Sequence, residues 1–198
     1  MRPLVVVLFC LSIACATTMA PLPVTIPSIA WPSDTQVRWY DVEASSEDAL
    51  REALSRQGPI DTTGTRHDAS TEWAVTWHVP LERTALGCTT GPVSTSLRVR
   101  ITLPRWYAPP GAPTALVARW RSYLDTLATH ELGHRESGLL AASAIEADLP
   151  LLDARPTCEE TERYASQVAH EILERYHKAD RDYDEETQHG ATQGAVFP

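Results

Sequence analysis

The segment His130-Glu131-Leu132-Gly133-His134 carries residue types at a spacing that suits hydrolytic chemistry on a metal ion. On a helix, positions i and i+4 stand one turn apart on the same face, so both imidazoles can ligate one ion while Glu131 stands beside it as a base. The surrounding pattern supplies the helix. Leu116, Trp120, Tyr123, Leu124 and Leu127 recur at helical spacing, and the same face continues into His130, Glu131 and His134. A helix is therefore predicted from about Thr114 towards Leu149, with the motif facing inward, a bend around Gly133 or Gly138, and Pro150 and Pro156 ending it. The bland alternative is an amphipathic helix with two satisfied core histidines; paired ligand spacing with a glutamate between them favours the metal.

A catalytic zinc site uses three protein ligands and leaves a position for water, so the motif needs one more group. One class places a histidine at position 140 after an intervening glycine; Leu140 and the out-of-register Gly138 exclude it. Another uses a glutamate on the following helix, where Glu159, Glu160, Glu162, Glu171 and Glu174 are available. Among the other histidines, His170 and His177 share a face of that helix, and His189 stands beside Gly190, where the backbone can approach closely. His67 and His78 fall in the strand region, His78 on a polar face, and both read as solvated. On residue chemistry alone, His189, His170 and a helix glutamate are equal candidates.

The elements that must position these groups form an α+β chain. Val37, Trp39, Tyr40 and Val42 mark a first strand, and Ser45-Ser46-Glu47-Asp48 starts a short helix that Gly58-Pro59 ends. Trp73, Val75, Trp77 and Val79 alternate with polar residues, as do Val93 through Leu103. These two runs predict an antiparallel pair with one buried face. Pro104 to Pro113 reads as a linker into the long helix, and a second helix fits Cys158 to about Arg181. The expectation is a small antiparallel sheet with a short helix, then the motif-bearing helix and a C-terminal one. Residues 182–195 show no clear period.

The first 20 residues, with Arg2, an apolar run from Leu4 and then small residues, have the pattern of a secretory signal cut near Ala16. Lipidation at Cys15 is the rival reading, disfavoured because Ser12 stands where a leucine is expected. Residues 21–198 then form one domain of ordinary size, without a membrane span and located in the periplasm or outside the cell. Cys88 and Cys158 remain as an even pair, which predicts a disulfide in an oxidising compartment. A formal net charge of -9 argues against nucleic acid and anionic membranes as partners.

The chain resembles a bacterial family of predicted secreted zinc-dependent proteases, also described as a domain of unknown function. The likeness lies in Trp39-Tyr40-Asp41-Val42 with Gly58-Pro59, the Trp73 to His78 strand, the histidine motif, the cysteine pair and the closing Tyr183-Asp184-Glu185-Glu186-Thr187-Gln188-His189-Gly190. It implies a zincin-like peptidase domain that includes the tail, with His130, His134 and His189 holding Zn²⁺, Glu131 as general base and a peptide or protein as substrate. Tyr183 is then a candidate to stabilise the oxyanion, and Glu136, Asp182 and Asp184 are candidates to orient the imidazoles. Two alternatives stand beside this: a non-catalytic domain with a structural metal closed by His170 or His177, and an enzyme blocked by its own tail.

Overall fold

The computed structural model describes residues 22–25 and 29–197, so the signal-like segment with Cys10 and Cys15 lies outside the described residues. In chain order the elements are β1 (Leu22–Pro23), β2 (Thr35–Val42), α1 (Glu47–Gln57), β3 (Ser70–His78), β4 (Leu81–Thr84), β5 (Gly87–Thr90), β6 (Ser94–Ala108), α2 (Thr114–Asp148) and α3 (Cys158–Thr187). Short 3-10 turns, Leu149–Leu151 and Ala191–Gln193, follow the two long helices. The α+β class expected from the sequence holds.

β6 is the axis of the sheet. It pairs antiparallel with β3, Trp73 opposite Val99, as the alternation predicts. On its other side it pairs with β2 in parallel, Thr35 opposite Val99 and Val42 opposite Trp106. The sheet is therefore mixed, where a purely antiparallel one was expected. Parallel neighbours need a long crossover, and the chain supplies it by leaving β2 through α1 and β3 before returning in β6. β6 also runs through Pro104 into the supposed linker. Pro104 lies beyond the stretch that pairs with β3, which ends at Thr102, and before Tyr107, where β1 pairs. On that side the missing N–H meets no strand.

The inward side chains of the sheet, Trp73, Val75, Val99, Ile101 and Leu103, pack under α2 and its Leu116, Trp120, Leu124 and Leu127. The opposite face is wet and carries ion pairs such as Arg100 to Glu72 at 2.8 Å. α2 runs as one helix of 35 residues through both Gly133 and Gly138. α3 starts at a capping box, in which Thr157 and Glu160 satisfy each other's backbone N–H groups. It continues past Arg181 to Thr187 and so takes Asp182, Tyr183 and Asp184 into the helix. The predicted disulfide is present, joining Cys88 in β5 to Cys158 at the first residue of α3. After α3 the chain folds back on α2, and Phe197, 2% exposed, closes the core between Trp120 and Tyr123.

Candidate metal centre

The face of α2 that buries Leu124 and Leu127 also buries His130, Glu131 and His134, all less than a tenth exposed. Their counterpart is the end of α3. The apolar face of α3 descends through Ala165, Ala169 and Ile172, and two turns further on it presents Asp180 and Asp184 to α2. Asp184 Oδ1 lies 3.2 Å from Nε2 of His130 and 3.2 Å from Nε2 of His134, and the two Nε2 atoms are 3.3 Å apart. Donors about 2.0–2.1 Å from a tetrahedral ion stand about 3.3 Å from each other, so this triangle has the edge length that a zinc-sized ion needs. His130, His134 and Asp184 form a potential metal-binding group.

The outer nitrogens of both imidazoles are engaged. Nδ1 of His134 lies 3.0 Å from Asp180 Oδ1, and Nδ1 of His130 lies 3.0 Å from Gln193 Oε1. An acceptor stands on each Nδ1 and both Nε2 atoms face inward, so loss of the Nε2 proton leaves each imidazole in the tautomer a ligand requires. Trp73 in β3 donates its indole N–H to Asp180 at 3.2 Å and fixes that carboxylate in turn. The chemistry and spacing of the donor set therefore fit a metal ion.

Glu131 is tied to β3. Its Oε2 accepts from the Thr71 hydroxyl at 2.7 Å, and the same hydroxyl reaches its backbone carbonyl at 3.1 Å. Burial pushes the Glu131 pKa up, against the charge of His134 and the bond from Thr71. For His134, burial favours the neutral imidazole, but hydrogen bonds to Asp180 and Asp184 and the charge of Glu131 outweigh it and push the pKa up to about 10. Burial would raise Asp184, yet its bonds to both imidazoles hold it well below the usual carboxylate range.

A cavity of about 380 Å³ opens over the cluster, lined by His130, Glu131, His134, Thr71, Asp184 and His189 among others. His189 stands at its edge. Its Nδ1 lies 3.3 Å from Asp184 Oδ1, while its side chain is 58% exposed, and it is outside the compact three-residue group. Two successive left-handed residues, Gln188 at φ 51° and His189 at φ 53°, turn the chain there; such backbone is costly for non-glycine residues and concentrates at functional sites. Gly190 follows at φ 82°, and a Cβ on it would come within 2.9 Å of the His130 ring.

Tyr183 lies on the far side of His130. Its ring stacks on that imidazole with centroids 5.0 Å apart, over Gly133, where a Cβ would strike the phenol at 2.3 Å. Its hydroxyl donates to the His130 carbonyl at 3.3 Å and accepts from Gln193 Nε2 at 3.1 Å, and Tyr183 is not among the cavity-lining residues. Of the carboxylates considered for orienting roles, Asp184 enters the donor set itself, Asp182 pairs with Lys178 at 2.6 Å, and Glu136 is exposed. The orienting groups are Asp180 and Gln193, which sequence reasoning missed. Asp180 had a signal, being one helical turn before Asp184 on the inward face; Gln193 had none.

The remaining candidates lie elsewhere. His177 stacks on Trp73 at 4.1 Å, and His170 packs edge-on against Trp77 at 5.3 Å. Glu160 is spent on the helix cap. His67, read as solvated, instead lines the cavity, with Nε2 3.0 Å from Asp61 and its ring 4.7 Å from that of His189.

A family model described as a bacterial protein of unknown function (DUF922) matches residues 37–190. The chain belongs to this family. The matched span of DUF922 runs from within β2 through α3 and contains the histidine motif, both carboxylates and His189. No curated protein and no solved structure matches the chain. The description of DUF922 assigns no activity, so function is argued from the site.

Proposed function

We propose that the chain is an exported zinc-dependent peptidase in which His130, His134 and Asp184 hold the metal and Glu131 is the general base. The observation that supports it most is the convergence of three donor atoms, 3.2 to 3.3 Å apart, at a cavity that also receives a buried glutamate. A zinc ion bound by three protein groups supplies Lewis acidity towards a carbonyl and lowers the pKa of water. Glu131 takes the proton of the attacking water and passes it to the leaving amine. Its raised pKa suits both halves of that task, and Thr71 holds the carboxylate in place. Asp180, Gln193 and Tyr183 act on the position of the two imidazoles.

A peptide substrate is favoured by β3. This strand pairs with β6 on one side and with no strand on the other among the described residues, and its first residues, Ser70 and Thr71, line the cavity. An extended peptide can add to such an edge through main-chain hydrogen bonds. The disulfide supports an extracellular or periplasmic setting, and among the described residues no helix is long and apolar enough to cross a membrane.

The second reading is a structural metal. Its support is His189, whose Nδ1 stands 3.3 Å from Asp184 and offers a fourth donor that would close the site. One experiment separates the two. Metal content, thermal stability before and after chelation, and hydrolysis of a casein-derived peptide pool are measured for the wild type and for Glu131→Gln. The peptidase reading expects about one zinc in each, hydrolysis in the wild type, and a loss of about 10²–10⁴-fold in Glu131→Gln. Undiminished turnover by Glu131→Gln would sink the mechanism, and global unfolding on chelation without any hydrolysis would favour the structural site.

A further inference from the structure

The cavity holds more charge than the cluster uses, and one charge lacks a counter-ion. Arg51 is committed to Asp68 through two hydrogen bonds, and Asp68 also accepts the Tyr123 hydroxyl at 2.8 Å. His67 faces Asp61, and His189 faces Asp184. Arg66 lines the same cavity, donates to the Gly58 carbonyl, and forms no ion pair among the described residues. One bond to a neutral carbonyl fixes one arm of the guanidinium and leaves the rest of a five-donor fork, whose geometry matches a carboxylate.

We propose that Arg66 is the anion-recognition residue of this cavity and that the preferred substrates are peptides presenting a carboxylate, from an acidic side chain or a free C-terminus. The inference rests on the peptidase reading and names its substrate class. Arg66 belongs to the segment that leads into Ser70 and Thr71, so a peptide extending the β3 edge beyond Ser70 runs towards it. Arg51 stays neutralised by Asp68 and adds no comparable pull.

The test uses four acetylated pentapeptides on the zinc-loaded full chain: an Ala-Ala-Glu-Ala-Ala amide, its Gln analogue as the amide, and both with a free C-terminus. Wild type, Arg66→Gln and Arg66→Lys are compared by calorimetry, with cleavage followed by mass spectrometry and zinc content recorded for each. If the wild type cleaves the peptides, ratios of kcat/KM read the preference. If it cleaves none of them or of the casein-derived pool, the peptidase reading falls and the Kd ratios alone read the anion site. The proposal expects at least one carboxylate-bearing peptide to be preferred about ten-fold over the amidated Gln peptide. That preference should fall below about two-fold in Arg66→Gln, partly return in Arg66→Lys, and weaken as salt rises. Which peptide shows it distinguishes a side-chain carboxylate from a terminal one. Equal handling of all four by the wild type overturns the proposal. So does a preference that survives Arg66→Gln, or one lost together with zinc, since Arg66 would then act through the cluster.

Discussion

The Asp180 carboxylate lies 3.0 Å from Nδ1 of His134 and ties that imidazole to the sheet through the indole of Trp73. A carboxylate on the outer nitrogen of a ligating histidine fixes its tautomer and raises its basicity. Asp180→Ala should therefore weaken zinc binding about 10–100-fold while the chain stays folded, because Asp180 lines the cavity and lies outside the apolar core. Competition with a chelator of known affinity measures it; an unchanged Kd would deny Asp180 this role.

Asp184 and His189 make opposite predictions about the donor set. With Asp184 as third ligand, Asp184→Ala should abolish stoichiometric zinc. His189→Ala should keep about one ion per chain with reduced affinity, since it removes only a partner 3.3 Å from that carboxylate. Metal analysis after gel filtration decides. Equal loss in both variants would bring His189 into the coordination sphere, as the sequence resemblance implied.

Zinc binding should release protons. His134 is held protonated up to about pH 10, above the ordinary 6.5 of an imidazole. In the metal-free chain its ion pairs contribute stability in full below about pH 6.5 and lose it as pH rises through 10. Metal affinity has the opposite sign, because the ligand must be deprotonated. Apparent affinity should rise by up to about ten-fold per pH unit from neutrality, with about one proton released per ion near pH 7. Calorimetry in buffers of differing ionisation enthalpy counts that proton; zero release at pH 7 would contradict it.

Phe197 anchors the chain end between Trp120 and Tyr123, and the segment it anchors carries Gln193, the partner of His130. Phe197→Ala should cost about 3–5 kcal/mol of stability. It should also lower zinc affinity at temperatures where the rest of the chain remains folded. Denaturant unfolding read beside chelator competition separates the effects, and a stability loss with unaltered affinity would show that the anchor is only packing.

The disulfide lies at the opposite end of α3 from Asp180 and Asp184. Replacing Cys88 and Cys158 together by Ser should cost about 2–4 kcal/mol of stability yet leave zinc stoichiometry unchanged. Loss of the ion in a folded double variant would mean that the bridge governs where the far end of the helix sits.

Much of this arrangement is legible in the sequence. Alternation in β3 and β6 and the helical face from Leu116 to His134 each report one-sided burial, and all three emerge as read. The parallel pairing of β2 is not legible, because an alternating strand looks the same in either direction; only the crossover through α1 sets it. Pro104 reads as a break until the absence of a neighbouring strand on that side is known. On α3, charged residues hide the inward face, since Asp180 and Asp184 interrupt its apolar pattern. Partly buried carboxylates opposite histidines are what such an interruption means, and that meaning needs the partner helix. Gln193 is reached only through the left-handed turn at Gln188 and His189 and the anchor at Phe197, neither of which leaves a periodic trace.

The position of these partners along the chain also sets a schedule. Synthesis reaches the two histidines of α2 well before it reaches Asp180, Asp184, Gln193 and Phe197. A nascent chain halted after α2 would display a pair of imidazoles with no counter-ligand, no carboxylate clamp and an open aromatic socket at Trp120. The proposed donor set is therefore complete only once α3 has packed on α2, and the partner of His130 is in place only once the tail has docked and Phe197 fills that socket. Damage to the final ten or so residues would remove Gln193 and Phe197 and leave Asp180 and Asp184 on α3, so the cluster would keep its carboxylates and lose the partner of His130.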